Sequence, residues 1–146
     1  MKPLLFDTNV LLLFLRGDAR WSAIYEEYDL ENTLNCLSVV CLGELYALAL
    51  RNNWGERRVS QIAQLRRDFT IIDINIEDII QKYAQIDAYS QGKLLSRPLS
   101  ISARNMGKND LWIAATASVF DMTLLTADAD FEHLDKSFLT LAKITI

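Results

Sequence analysis

The chain's apolar runs repeatedly end on a carboxylate or are broken by one. Asp7 stands in LLFDTNV, Glu44 in LSVVCLGELYALAL, Asp110 in GKNDLWIAATA and Asp128 in LLTADADF. An unpaired carboxylate is costly to bury, and these four are far apart in sequence. A fold that accommodates them must therefore gather them where something neutralises them, and this requirement restricts the architecture more than any other feature.

Pattern and punctuation supply the elements. Leu4 to Phe6 reads as a short buried strand, with helix beginning after the Asp7-Thr8-Asn9 turn. A helix is expected over Trp21 to Leu30, with Trp21, Ile24, Tyr25 and Tyr28 on one face. A strand follows at Thr33 to Leu37, then Ser38 as the cap of a helix from Val39 to Arg51. Glu56 to Arg67 is an amphipathic helix, and Thr70 to Ile74 a β-branched strand. A long helix spans Ile76 to Leu95, weakly interrupted at Gly92, and Ser96 to Lys108 is a loop carrying Pro98, Asn105 and Gly107. Asn109 is placed as the cap of a helix from Asp110 to Phe120, before strands at Met122 to Leu125 and Leu139 to Ile144.

Strands alternating with helices indicate one α/β domain over residues 1–146, with a mostly parallel central sheet between helical layers. In such sheets ligands sit at the carboxyl ends of strands, at a topological switch point. Asp7 ends the first strand, and Asp128 lies just past the strand that begins at Met122. Helical phase adds the other two acids. Glu44 shares a face with Cys41, Leu45 and Leu48, and Asp110 with Ile113, Ala114 and Ala117, so both point inward.

Two unit charges ~4 Å apart repel by roughly 4 kcal/mol at an effective dielectric near 20. Four clustered acids then consume much of a typical domain stability of about 5–15 kcal/mol unless a cation balances them or some stay protonated. Carboxylate oxygens suit hard divalent ions, magnesium or manganese. Such an ion lowers the pKa of its water and stabilises charge on a phosphoryl centre, which points to phosphodiester hydrolysis. Thr8, Asn9 and Thr126 are placed to orient the carboxylates by hydrogen bonds. The structural alternative is that Asp7 caps the helix after it and Asp110 favours its helix dipole. The fourth position is a choice between Asp128 and Asp130; Asp128 is nearer the strand end and is preferred, with Asp130 as a second or outer ligand. His133, the one histidine, lies past this loop and is not expected to be catalytic.

Net charge is −4, which argues against coating nucleic acid by bulk attraction. The bases nevertheless concentrate in residues 51–108, at Arg51, Arg57, Arg58, Arg66, Arg67, Lys82, Lys93, Arg97, Arg104 and Lys108. A basic middle beside an acidic pocket suits a polyanionic substrate held next to metal ions. Cys36 and Cys41 lack a C-x-x-C pattern and read as buried structural thiols, consistent with a reducing cytoplasm. No stretch resembles a membrane span or a secretory signal.

The segments LLFDTNVLLLFLRGD, SVVCLGELYALAL, GKNDLWIAATA and LLTADADF, in that order and spacing, resemble the PIN domain, and within it the VapC-type toxin nucleases. The resemblance covers essentially the whole chain. It implies a three-layer α/β/α sandwich and magnesium- or manganese-dependent ribonuclease activity. Asp7, Glu44, Asp110 and Asp128 would be the acidic residues, with Asp130 less securely placed. It also implies a homodimer and a cognate antitoxin whose tail covers the groove. Two other readings remain: a PIN module that binds RNA or protein without cutting, and a phosphatase using Asp7 as nucleophile. Against the second, position 9 is Asn where a second Asp is wanted.

Overall fold

The computed structural model describes residues 2–146. Strand β1 (Leu4–Phe6) is fully buried and leads directly into α1 (Thr8–Leu15). The chain continues through α2 (Ala19–Glu27), β2 (Asn35–Ser38), α3 (Val39–Arg51), α4 (Glu56–Asp68) and β3 (Thr70–Ile72). It then forms α5 (Glu77–Ser90), α6 (Lys108–Val119), β4 (Thr123–Thr126), a 3-10 turn (Ala129–Leu134) and β5 (Thr140–Lys143).

The five strands make one sheet in the order β3-β2-β1-β4-β5. Every pairing is parallel, so "mostly parallel" becomes wholly parallel, and the architecture is the expected three-layer α/β/α sandwich. Leu5, Phe6, Leu37, Leu124 and Leu125 are completely buried at its centre, as parallel sheets covered on both faces require. Helix α5 packs on α6, while α1 contacts α2, α3 and α4. Among the described residues, no helix is long and apolar enough to cross a membrane.

The strand order creates the switch point that positions the site. From β1 the chain builds outward through β2 and β3, then returns to lay β4 on the other side of β1. Phe6 pairs with Leu125, and the Asp7 amide donates to the Leu125 carbonyl at 2.9 Å. The residues following β1 and β4 therefore emerge side by side.

Several boundaries differ from the sequence expectation for local reasons. Helix α1 starts at Thr8, because Asp7 itself is the cap and accepts from the Thr8 amide. Helix α2 begins earlier than Trp21, on an Asp18 cap, and ends before Leu30, where Asp29 turns to φ +50. Ser38 caps α3 as expected, but it also completes β2, which runs from Asn35 instead of Thr33 to Leu37. Strand β3 stops at Ile72, short of Ile74. Helix α5 stops at Ser90, well before Leu95, because Gly92 takes φ +72 and its amide turns back to the Tyr89 carbonyl. Asn109 does not cap α6: Gly107 holds the extended cap conformation, leaving Asn109 inside the first turn. The 3-10 turn after β4 was not anticipated.

Candidate active site

Asp7, the residue closing β1, is only 5% exposed. Its Oδ1 accepts from the Thr8 amide at 2.8 Å. Its Oδ2 accepts from the Thr126 hydroxyl at 2.7 Å and from Asn9 Nδ2 at 3.3 Å. Thr126, at the end of β4, in turn accepts from the Asp128 amide at 3.0 Å. Asn9 Oδ1 accepts from the Ala127 amide at 3.1 Å. Two short polar side chains thus bind the start of α1 to the loop after β4 and hold the Asp7 rotamer. Asp7 is therefore both helix cap and cleft residue.

Asp128 caps the 3-10 turn, its Oδ1 accepting from the Asp130 amide at 2.9 Å. Phe131, fully buried, anchors that turn. Asp110 enters from the first turn of α6 and Glu44 from the middle of α3. Together Asp7, Glu44, Asp110 and Asp128 line one cleft of about 740 Å³, with Thr8, Asn9 and Asn109 beside them. Carboxylate oxygens of Asp110, Asp128 and Asp130 come within 4.8 Å of one another. Asp130 is exposed at the rim and is not among the residues lining the main cleft.

The electrostatics follow from this convergence. Asp110 is half-buried, and its carboxyl is pushed up to about 7, first by loss of water and then by the charges of Asp7, Asp128, Asp130 and Glu44. Its place in the first turn of α6 would ordinarily favour the anion, so burial and the neighbouring acids together outweigh the helix dipole. Burial also raises Glu44, with Asp7 adding to it; Thr8 and Asn109 oppose the rise. The Thr8 hydroxyl nevertheless closes no hydrogen bond of ordinary geometry. Asp7 is raised by burial and by Asp128, against hydrogen bonds from Thr126, Thr8 and Asn9. No ion pair among the described residues involves any of these acids.

A set of carboxylate oxygens without a bound base fits a hard divalent cation. Asp110, Asp128 and Asp130 are the closest donors, and Asp7 and Glu44 border the same space. The remaining titratable candidates do not line the cleft. His133 Nε2 sits 2.8 Å from the Ser90 hydroxyl with its ring stacked on Tyr89. Cys36 and Cys41 are free and buried, and burial pushes the Cys41 thiol up to about 12.

Two further residues of the cleft are suited to binding: Arg51 was singled out only as one of the ten bases of residues 51–108, and Trp112 was not assigned to the site. Arg51, the one base lining it among the described residues, lies on α3 two turns beyond Glu44, so helical phase carried the signal. Trp112 gave none, because α6 is apolar nearly all round and no face stands out.

An open cleft lined by acids at the switch point of a parallel α/β sheet defines a class of metal-site candidates, and comparison with known proteins narrows it. The family model of the PIN domain matches residues 4–137. The chain belongs to the PIN domain family. No curated protein matches the sequence. Among solved structures, VapBC2 from Rickettsia felis, bound to a DNA fragment from its promoter, is similar with a TM-score of 0.78 at 20% identity, covering 96% of this chain and 97% of that one. FitAcB from Neisseria gonorrhoeae is similar with a TM-score of 0.72 at 24% identity, covering 94% and 95%. DNA-bound VapBC from Salmonella typhimurium has a TM-score of 0.73 at 17% identity, covering 98% of each chain. At these identities the likeness concerns the fold.

Proposed function

We propose that this chain is a magnesium- or manganese-dependent endoribonuclease, the toxin of a toxin–antitoxin pair, acting in the cytoplasm as a single-domain protein that forms a homodimer. The observation that carries the reading is the convergence of Asp7, Glu44, Asp110 and Asp128 from four separate elements on one cleft, none of them in an ion pair among the described residues. Membership of the PIN family supports it. Similar structures include VapBC assemblies and a toxin–antitoxin complex from Klebsiella pneumoniae, which supports an antitoxin as partner.

Asp110, Asp128 and Asp130 would hold the cation, with Asp7 and Glu44 completing the acidic wall. When bound, the ion supplies a more acidic water and stabilises charge on the phosphoryl group. The protein's own contribution is positioning. Thr126, Thr8 and Asn9 fix the Asp7 carboxylate. Asn109 and Thr8 favour the Glu44 carboxylate by side-chain hydrogen bonding, against its burial. Arg51 offers a guanidinium to a backbone phosphate beside the acids.

Incubation of RNA with the purified protein and millimolar magnesium or manganese tests this. Asp7→Asn and Asp110→Asn should each lower cleavage by ~10²-fold or more with the fold retained. Undiminished cleavage by both variants overturns the assignment. Phosphate trapped covalently on Asp7 would instead favour the phosphatase.

A further inference from the structure

A second cleft, of about 510 Å³, is lined by Arg16, Asn53, Trp54, Arg57, Arg58 and Gln61, among others, and no acid lines it. It lies where the C-terminal ends of α1 and α3 meet the first turns of α4. The left-handed turns at Gly17, φ +64, and Asn53, φ +50, form part of its wall. In a chain of net charge −4 this gathering of cations stands out. The ion pairs among the described residues involve Lys2, Arg20 and Lys143, so none of these arginines has one. Of the acids adjacent in sequence, Asp18 is already engaged by Arg20 at 2.6 Å, and Glu56 is exposed, outside the lining and in no ion pair. The Arg58 guanidinium lies 4.9 Å from the centre of the Trp54 ring, and that indole is half-buried, with part of its surface open.

The two clefts are consecutive along the same helices. Leu12, Leu48 and Arg51 line the acidic one, and Leu15, Arg16 and Asn52 the basic one. At 1.5 Å per residue, Thr8 to Arg16 and Glu44 to Asn52 each rise about 12 Å. A stacked strand at 3.4 Å per nucleotide covers that distance in about three to four nucleotides.

We infer that the basic cleft is a docking subsite for single-stranded RNA, gripping the strand a few nucleotides from the phosphate that is cut. This rests on the ribonuclease reading of the acidic cleft and extends it. Guanidinium forks match phosphate oxygens. Trp54 offers a face for a base, and the Asn53 and Gln61 amides offer donors and acceptors to base edges. An acidic peptide would satisfy the arginines and amides, but its carboxylates offer nothing to stack on the indole, as a base does. The acidic cleft alone repels a polyanion until its cation is bound, whereas the basic cleft attracts one unaided.

Fluorescence anisotropy tests this with a labelled single-stranded RNA of about ten nucleotides and the full chain in EDTA. Trp54→Ala should weaken binding about tenfold, with Trp54→Phe recovering most of the loss. The double variant Arg57→Ala/Arg58→Ala should reduce the slope of log affinity against log salt by about 1.4, at about 0.7 per lost phosphate contact. Affinity and slope unchanged in these variants overturn the inference, as does an absence of RNA binding or an acidic peptide that displaces the RNA at equal concentration. Cleavage that persists while binding ignores these residues overturns this inference and leaves the nuclease reading standing. RNA bound through these residues but never cut in magnesium does the reverse.

Discussion

Asp7 and Asp110 face the same cleft, but only Asp7 is held by a network. Asp7 closes a buried strand and is gripped by Thr8, Asn9 and Thr126, contacts that partly offset the penalty of its burial. Asp110 projects from a helix end among four other acids, and its carboxyl is pushed up to about 7. The strand-end half of the site is thus preorganised by hydrogen bonds, and the helix half is left in electrostatic tension. A buried carboxylate can be stabilised by donors on its own scaffold, but a cluster of them leaves unsatisfied charge that a cation can relieve.

The contrast makes predictions of decreasing size. Saturating magnesium or manganese should raise the melting temperature. At about 100 times the dissociation constant the stabilisation is ~2.7 kcal/mol, or roughly 5–10 °C for a chain of this size. Asp110→Asn should lose most of that rise in differential scanning calorimetry; an equal rise in the variant would place the ion elsewhere.

Asp7→Ala should lower the metal-free melting temperature by roughly 4–8 °C, because the Thr8 amide and Thr126 hydroxyl lose their acceptor at a cost of ~2 kcal/mol. Asp110→Asn at pH 8 should raise it by roughly 2–6 °C by removing an uncompensated charge. Shifts of the same sign in both variants would erase the distinction between the two halves.

The smallest effect is on pH dependence. Asp110 has a folded-state value of about 7 against an ordinary 3.8. Between those values the folded chain keeps a proton that the unfolded chain has lost, so metal-free stability falls as pH rises from about 4 to 7. Glu44 and Asp7 are also raised and act in the same direction. Asp110 is only half-buried, so solvent screening reduces its share to ~1 kcal/mol, roughly 2–4 °C. Magnesium should flatten or invert this slope, since it favours the deprotonated carboxylates. A metal-free melting curve that rises over the same window would contradict the crowded-acid account.

Much of the site was legible because its acids interrupt regular patterns. Glu44 violates an apolar helix face, and Asp7 follows a strand too apolar to be exposed. The α/β alternation was equally plain. What local sequence could not carry are contacts between distant segments. The bond from Asn9 to Ala127 and the one from Thr126 to Asp7 exist only because β1 and β4 are neighbours. The 3-10 turn is too short to show a period, so the approach of Asp130 to Asp110 and Asp128 could not be read from it. Asn109 misled because Asn is a good cap by type, whereas two residues earlier Gly107 had already taken the extended conformation.

On the proposed reading, the acidic cleft holds the cation on which RNA cleavage depends. Manganese binding measured by calorimetry, with RNA cleavage followed at the same metal concentrations, tests it most directly. Binding to the wild-type chain should saturate in step with the cleavage rate, and Asp110→Asn should weaken both together. Cleavage at full rate in EDTA, or tight manganese binding unaffected by that substitution, would contradict it.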